Sequence, residues 1–149
     1  MLIRELTREE SVGLLTRVRL GRLACARANQ PYIVPLFFAY FENSLYCAST
    51  PGQKIEWMRE NPLVALEADE IHSAQQWESV IISGRYEELA DTPQTRDGRQ
   101  LAWSLLQKHE LWWEPGYVKT IIGSVERPIA LLYFRIRIER ITGHRATIE

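Results

Sequence analysis

Tyr32 to Phe41 read YIVPLFFAYF, ten positions without a charged or amide side chain. Aromatic and β-branched residues dominate the run, and turn-forming stretches flank it: Ala28-Asn29-Gln30-Pro31 before, Phe41-Glu42-Asn43-Ser44 after. These features specify a β-strand. Strand side chains alternate between faces, so Tyr32, Val34, Leu36, Phe38 and Tyr40 share one face and Ile33, Pro35, Phe37 and Ala39 the other. Both faces are apolar. A strand with one face on a core and the other in water carries polar residues on the second, so here the second face has to be covered by a helix, a subunit or a cofactor. Pro35 tightens the constraint, because it cannot donate to a ladder and is confined to edges and bulges. Backbone groups beside it are left to bond something other than a strand.

The next stretch, LYCASTPGQKIEWMRENPLVAL over residues 45–66, compresses a strand, a turn, a short helix and a second strand. Ser49 and Thr50 offer hydroxyls, Thr50 suits an N-cap, and Pro51 suits the first helical position, where its missing N–H costs nothing. Gly52 allows close backbone approach, Lys54 falls in the first turn, and Asn61-Pro62 stops the helix. Exposed amides and the positive end of the helix dipole favour an anion, and an ammonium with two hydroxyls would complete a phosphate cradle. The same residues also serve as ordinary capping with a solvated lysine. Trp57 and Met58 read as packing residues.

Elsewhere, Thr7-Arg8-Glu9-Glu10 forms a capping box, and Leu14, Leu15 and Val18 follow at helical spacing, predicting a helix over 8–18. Residues 23–26 form the first arm of a hairpin whose second arm is the 32–41 strand. A strand over 63–67 precedes a polar, loop-like segment, 68–74, and a long strand follows over 76–89, where Gly84 suggests a bulge. Thr92-Pro93 opens a helix ending near His109, with Leu101, Ala102, Leu105 and Leu106 as its buried stripe. The loop after it concentrates Trp112, Trp113 and Tyr117, a density that anchors an interface, a ligand or the packing beneath a loop. A last strand over 129–141 turns Ala130, Leu132, Phe134, Ile136 and Ile138 to the core and Tyr133, Arg135, Arg137 and Glu139 to water. The expected class is mainly β or α+β: a six-stranded antiparallel barrel with flanking helices, one domain over residues 1–149.

Composition removes several functions. A net charge of −1 with interleaved signs argues against nucleic acid. The chain lacks an apolar run of membrane-spanning length, and MLIRELTREE lacks a signal peptide's apolar segment, so a cytoplasmic protein without membrane attachment is expected. Cys25 and Cys47 sit in strand-like runs and read as reduced small hydrophobes. Asp69, Glu70 and His72 lack further ligands in sequence, so no metal site is expected.

The order Tyr46, Ser49, Thr50, Lys54, Asn61, Pro62 and the 63–67 strand resembles the phosphate segment of the FMN-binding split-barrel superfamily, which includes pyridoxamine 5′-phosphate oxidase and the nitroimidazole-resistance proteins. The likeness runs from about Leu20 to Glu88 and more loosely to the C-terminus. It implies a split β-barrel homodimer with FMN at the subunit interface. Ser49, Thr50, Gln53 and Lys54 would take the phosphate, and the main chain of Val34, Pro35 and Leu36 would flank the isoalloxazine. Trp77 and Ser79 would reach across the dimer, and Trp113 would join the cofactor contacts. The implied activity is that of a flavin-dependent oxidoreductase acting on a small molecule, with no catalytic residue assigned. A deazaflavin (F420)-dependent reductase and a non-enzymatic flavin- or haem-binding module are the alternatives. The ending FRIRIERITGHRATIE lacks the Trp and Arg-x-His pair of the true oxidase, which points away from that reaction.

Overall fold

The computed structural model describes residues 1–108 and 131–149 in full, with the backbone of two strands between them. The elements are β1 (Leu2–Glu5), α1 (Arg8–Arg17), β2 (Leu20–Arg27), β3 (Gln30–Phe41), β4 (Ser44–Ser49), α2 (Gln53–Glu60), β5 (Leu63–Ser73), β6 (Gln76–Glu88), α3 (Arg96–Gln107), β7 (Lys119–Ile122), β8 (Val125–Pro128) and β9 (Leu132–Thr147). Six strands form a ring in the order β9-β4-β3-β2-β5-β6, closed because β9 also pairs with β6. All the ladders are antiparallel. The expected barrel is therefore present. Beyond it, β1 adds to the edge of β9, and β7 and β8 form a separate hairpin.

Two tight hairpins set the register. Ala28-Asn29 and Glu42-Asn43 all have positive φ, as two-residue hairpin turns of the favoured twist require. Inside the ring, Leu23, Phe38, Leu45, Cys47, Leu66, Val80, Ile82, Phe134 and Ile136 make the core, with α1 closing it through Leu14 and Leu15. The capping box of α1 is formed, with Thr7 and Glu10 bonding each other's backbone N–H. Cys25 and Cys47 are free and buried. No described helix is long and apolar enough to cross a membrane.

Several boundaries depart from the sequence reading. Residues 68–73, expected as loop, continue β5, because pairing with β6 holds as far as Ser73↔Gln76 despite their polarity. α2 begins at Gln53, so Thr50 is not its cap and Pro51 is not its first residue; Gly52 occupies the N-cap. α3 begins at Arg96 after a turn over Thr92 and Pro93. β9 starts at Leu132 and reaches Thr147, and Tyr133 is buried against α3 with Tyr46, Leu89 and Ala102, not turned to water. Ile129, Ala130, His109, Trp112, Trp113 and Tyr117 lie outside the described residues.

The second face of β3 is covered in part. Ala39 packs under α3, whereas Pro35 is exposed and Ile33 is 65% exposed.

Gly84 is the point of closure. The β6–β9 register shifts between Ser83 and Gly84, as the sequence suggested, and a Cβ at Gly84 would sit 2.1 Å from the Arg137 carbonyl oxygen. Gly84→Ala should therefore destabilise the fold by about 1–3 kcal/mol or more, as overpacking does. Gly13 in α1 has only the flexible end of Arg17 nearby, at 3.5 Å, so Gly13→Ala should stabilise by roughly 0.5–1 kcal/mol. Urea unfolding midpoints of the two variants should move in opposite directions.

Candidate functional site

The site begins where a ladder stops. β3 and β4 pair only from Phe41↔Ser44 to Phe38↔Cys47. Continued, the register would set Leu36 against Ser49 and Val34 against Pro51; instead the strands part, while β4 keeps its pairing to β9 as far as Ser49↔Leu132. Phe38 N–H bonds the Arg19 carbonyl on the β2 side. By strand alternation, the backbone groups of Ile33 and Pro35 point to the opposite edge, where β4 has left. Pro35 thus sits where its lack of an N–H costs no ladder bond.

The mouth of this split is bounded by Val34, Pro35 and Leu36 of β3, left without β4 partners, and by residues 49–54, which lead from the end of β4 into α2. Leu36 is buried, Val34 is half-buried against the core, and only Pro35 projects outward. On the facing wall the buried Ser49 hydroxyl donates to the Thr50 carbonyl at 2.9 Å, which spends its proton inside the turn. The Ser49 hydroxyl is therefore turned away from an anion in the mouth. Thr50 is half-buried and Gln53 exposed.

α2 is held rigidly. Ile55 and Met58 are buried in the core, and Trp57 packs on Tyr32 with ring centroids 5.6 Å apart. The Arg27 guanidinium lies 4.9 Å over the Trp57 ring. At the helix end, Asn61 Nδ2 donates to the Ala26 carbonyl at 3.1 Å while its Oδ1 accepts from Leu63 N–H at 3.2 Å. The N-terminus of α2, by contrast, is uncapped by any side chain, and its first backbone bond runs from Glu56 N–H to the Gly52 carbonyl. The amides of Gln53, Lys54 and Ile55 precede that bond. A Cβ at Gly52 would meet nothing within 4 Å, so the approach to these amides is open.

Lys54 stands in this first turn, half-buried. Burial lowers its pKa, and the neighbouring Cys25 works weakly in the opposite direction. Among the described residues no carboxylate pairs with it. On β2 and α2 Arg22 pairs with Glu67 and Asp69, Arg27 with Glu60 and Arg59 with Glu88. A partly desolvated ammonium without a counter-ion, beside open helix amides, is equipped to hold an oxyanion.

The other expected contacts do not join this mouth within one chain. Ser79 lies on β6, three strands round the ring from β3, a sheet path on the order of 14 Å. Its hydroxyl donates to Glu67 at 3.1 Å, and Trp77 lies further along the strand, opposite Ile71 and Ala146. Trp113 lies outside the described residues. What sequence reasoning missed is the outward row beside Ser79: Arg22, Glu67 and Asp69 converge there, and burial together with Asp69 raises the Glu67 pKa. Period-two alternation through residues 63–73 was the available signal, obscured by their polarity.

The chain is 45% identical over 146 residues to an uncharacterised protein of Rhizobium meliloti (strain 1021), with 98% of this chain and 97% of that protein aligned. Its fold matches the crystal structure of a FAD-binding protein from Mesorhizobium loti at TM-score 0.81 and 46% identity, over 99% of this chain and 100% of the other. A FAD-binding protein from Mycobacterium smegmatis shares the fold at TM-score 0.65 and 24% identity, over 95% and 98% of the respective chains. The pyridoxamine 5′-phosphate oxidase family model matches residues 7–145. Barrel, split and sequence together make this chain a member of the pyridoxamine 5′-phosphate oxidase family.

Proposed function

We propose that the protein binds a flavin through its riboflavin 5′-phosphate (FMN) unit, in a homodimer, and uses it as an oxidoreductase acting on a small molecule. The observation that carries the reading is Lys54, half-buried and without a carboxylate partner among the described residues, in the uncapped first turn of α2 at the mouth of the split. Lys54, the amides of α2 and the Thr50 hydroxyl hold the phosphate, and Gln53 lies beside them. The ring would then lie along the β3 edge at Val34, Pro35 and Leu36, where the missing ladder leaves the backbone groups of Ile33 and the Pro35 carbonyl to orient it. A bound flavin supplies hydride and electron chemistry; the chain supplies binding, orientation and exclusion of water. The FAD-binding description of the Mesorhizobium loti relative supports a flavin at this position.

The outer sheet face supports the dimer. Ile33, Ala24 and Ala65 lie in register across β3, β2 and β5, with Leu63 and Ile81 on the same face. Ile33, Leu63, Ile81 and Leu20 are 65%, 52%, 51% and 40% exposed. These exposed apolar side chains, beside the Arg22, Glu67 and Asp69 row on the same face, are what a second copy would cover. A second copy covering them brings Trp77 and Ser79 of one subunit toward the mouth of the other, which the sheet path within one chain prevents. The two buried, unpaired thiols support a reducing, cytoplasmic setting.

Lys54→Ala should weaken FMN binding about ten- to a hundred-fold, the value of one charge-assisted hydrogen bond. Riboflavin, which lacks the phosphate, should bind wild type and variant equally. An equal loss for both ligands, measured by fluorescence titration of the apoprotein, would place Lys54 at the ring or in the fold instead. In sedimentation at micromolar concentration the wild type should run as a dimer burying about 2,000 Å² or more, and Ile33→Asp should run as a monomer. A monomeric wild type contradicts the interface.

A further inference from the structure

A second concavity opens on the outer side of the barrel between α3 and β9. It is an open cleft of about 650 Å³, a volume in the range of small-molecule sites. Asp91, Arg96, Arg99, Gln100, Trp103 and Tyr133 line it together with Ser104. Three features give it chemistry. Arg99 lies 4.8 Å over the Tyr133 ring and pairs with no carboxylate among the described residues. The other arginines here are neutralised: Arg96 by Asp91 at 3.3 Å, and Arg135, just below, by Glu87 at 2.9 Å. Trp103 presents an indole that is 47% exposed on a helix otherwise packed by Ala102, Leu105 and Leu106.

A guanidinium seated over a tyrosine ring, without a carboxylate partner among the described residues, is suited to a phosphate or carboxylate. An exposed indole one helical turn away offers a stacking face to a planar heterocycle. Gln100 lies beside both on the same helical flank and can reach hydroxyl groups between them. An anion partner, a hydroxyl partner and a stacking face lining one cleft suit a nucleoside monophosphate.

The position of the cleft relates it to the phosphate turn. Tyr133 pairs with Ala48, and Leu132 with Ser49. Thr50 is the diagonal neighbour of Tyr133, on the order of 7–8 Å away. The cleft therefore begins about one ladder step from the turn that receives the flavin phosphate. We propose that it holds the adenylyl half of FAD, so that the protein selects the dinucleotide over FMN: Arg99 takes the second phosphate and Trp103 stacks on adenine. The proposal rests on the flavin reading above and extends the same site from one phosphate to two.

The test is a titration of apoprotein with FAD and with FMN for the wild type, Arg99→Ala and Trp103→Ala, with thermal melts to verify folding. Wild type should bind FAD about ten-fold or more tightly than FMN, from one added charge-assisted contact and one stacked base. Each substitution should cut FAD affinity by about ten-fold while FMN affinity stays within about two-fold. Trp103, being half-exposed, keeps the test valid if loss of Arg99 from the Tyr133 ring disturbs folding. Equal wild-type affinity for the two flavins overturns the proposal and leaves the flavin reading intact, as does a parallel loss of FAD and FMN in both variants. Failure of the wild type to bind either flavin overturns both.

Discussion

The structure turns on the early end of one ladder. β3 and β4 are joined by a two-residue turn and would zip along their length if hydrogen bonding alone decided, yet pairing ends at Phe38↔Cys47. Two local facts account for this. Pro35 offers no N–H on the edge that faces β4, and β4 is drawn away by its ladder to β9, which continues to Ser49↔Leu132. The ring still closes, because β9 is long enough to pair with β4 at one end and with β6 along most of its length. The barrel thus opens where β3 and β4 part, and the chain leaving that opening enters α2.

Where α2 begins is the second determinant. Had Thr50 capped the helix, its hydroxyl and the first-turn amides would have satisfied each other, leaving little for an anion. Gly52 at the cap contributes no side chain, so the positive end of the helix stays open, while buried Ile55, Trp57 and Met58 fix its direction. Among the described residues, electrostatics then leave Lys54 without a carboxylate partner. Arg22, Arg27 and Arg59 are drawn to carboxylates on the sheet and helix surfaces, and Lys54, shorter and partly desolvated, is not. On the outer face, Arg99 occupies the corresponding position among the arginines of α3.

Much of this was legible in the sequence because the signals were periodic or steric. The capping box at Thr7, the Asn61-Pro62 stop and the bulge at Gly84 each rest on the chemistry of one or two residues and stand as read, whereas the second apolar face of β3, expected to be covered, leaves Ile33 and Pro35 exposed in the single chain. Boundaries failed where tertiary pairing overrode local preference. β5 runs through Asp69, Glu70 and His72 because β6 lies beside it, and Tyr133 is buried because α3 crosses β9, a contact with no local signature. The same limit applies to the site. Lys54 was visible from helix position, whereas the inward turn of the Ser49 hydroxyl and the stacking of Arg99 on Tyr133 depend on partners distant in sequence or on side-chain rotation.

The central claim, that the split and the open end of α2 exist to hold a flavin, is tested most directly by purifying the protein and identifying its chromophore. The account predicts a yellow protein with the visible absorption of an oxidised flavin, releasing on denaturation one flavin nucleotide per subunit by mass spectrometry. A colourless protein that takes up neither FMN nor FAD when either is supplied in excess would contradict it.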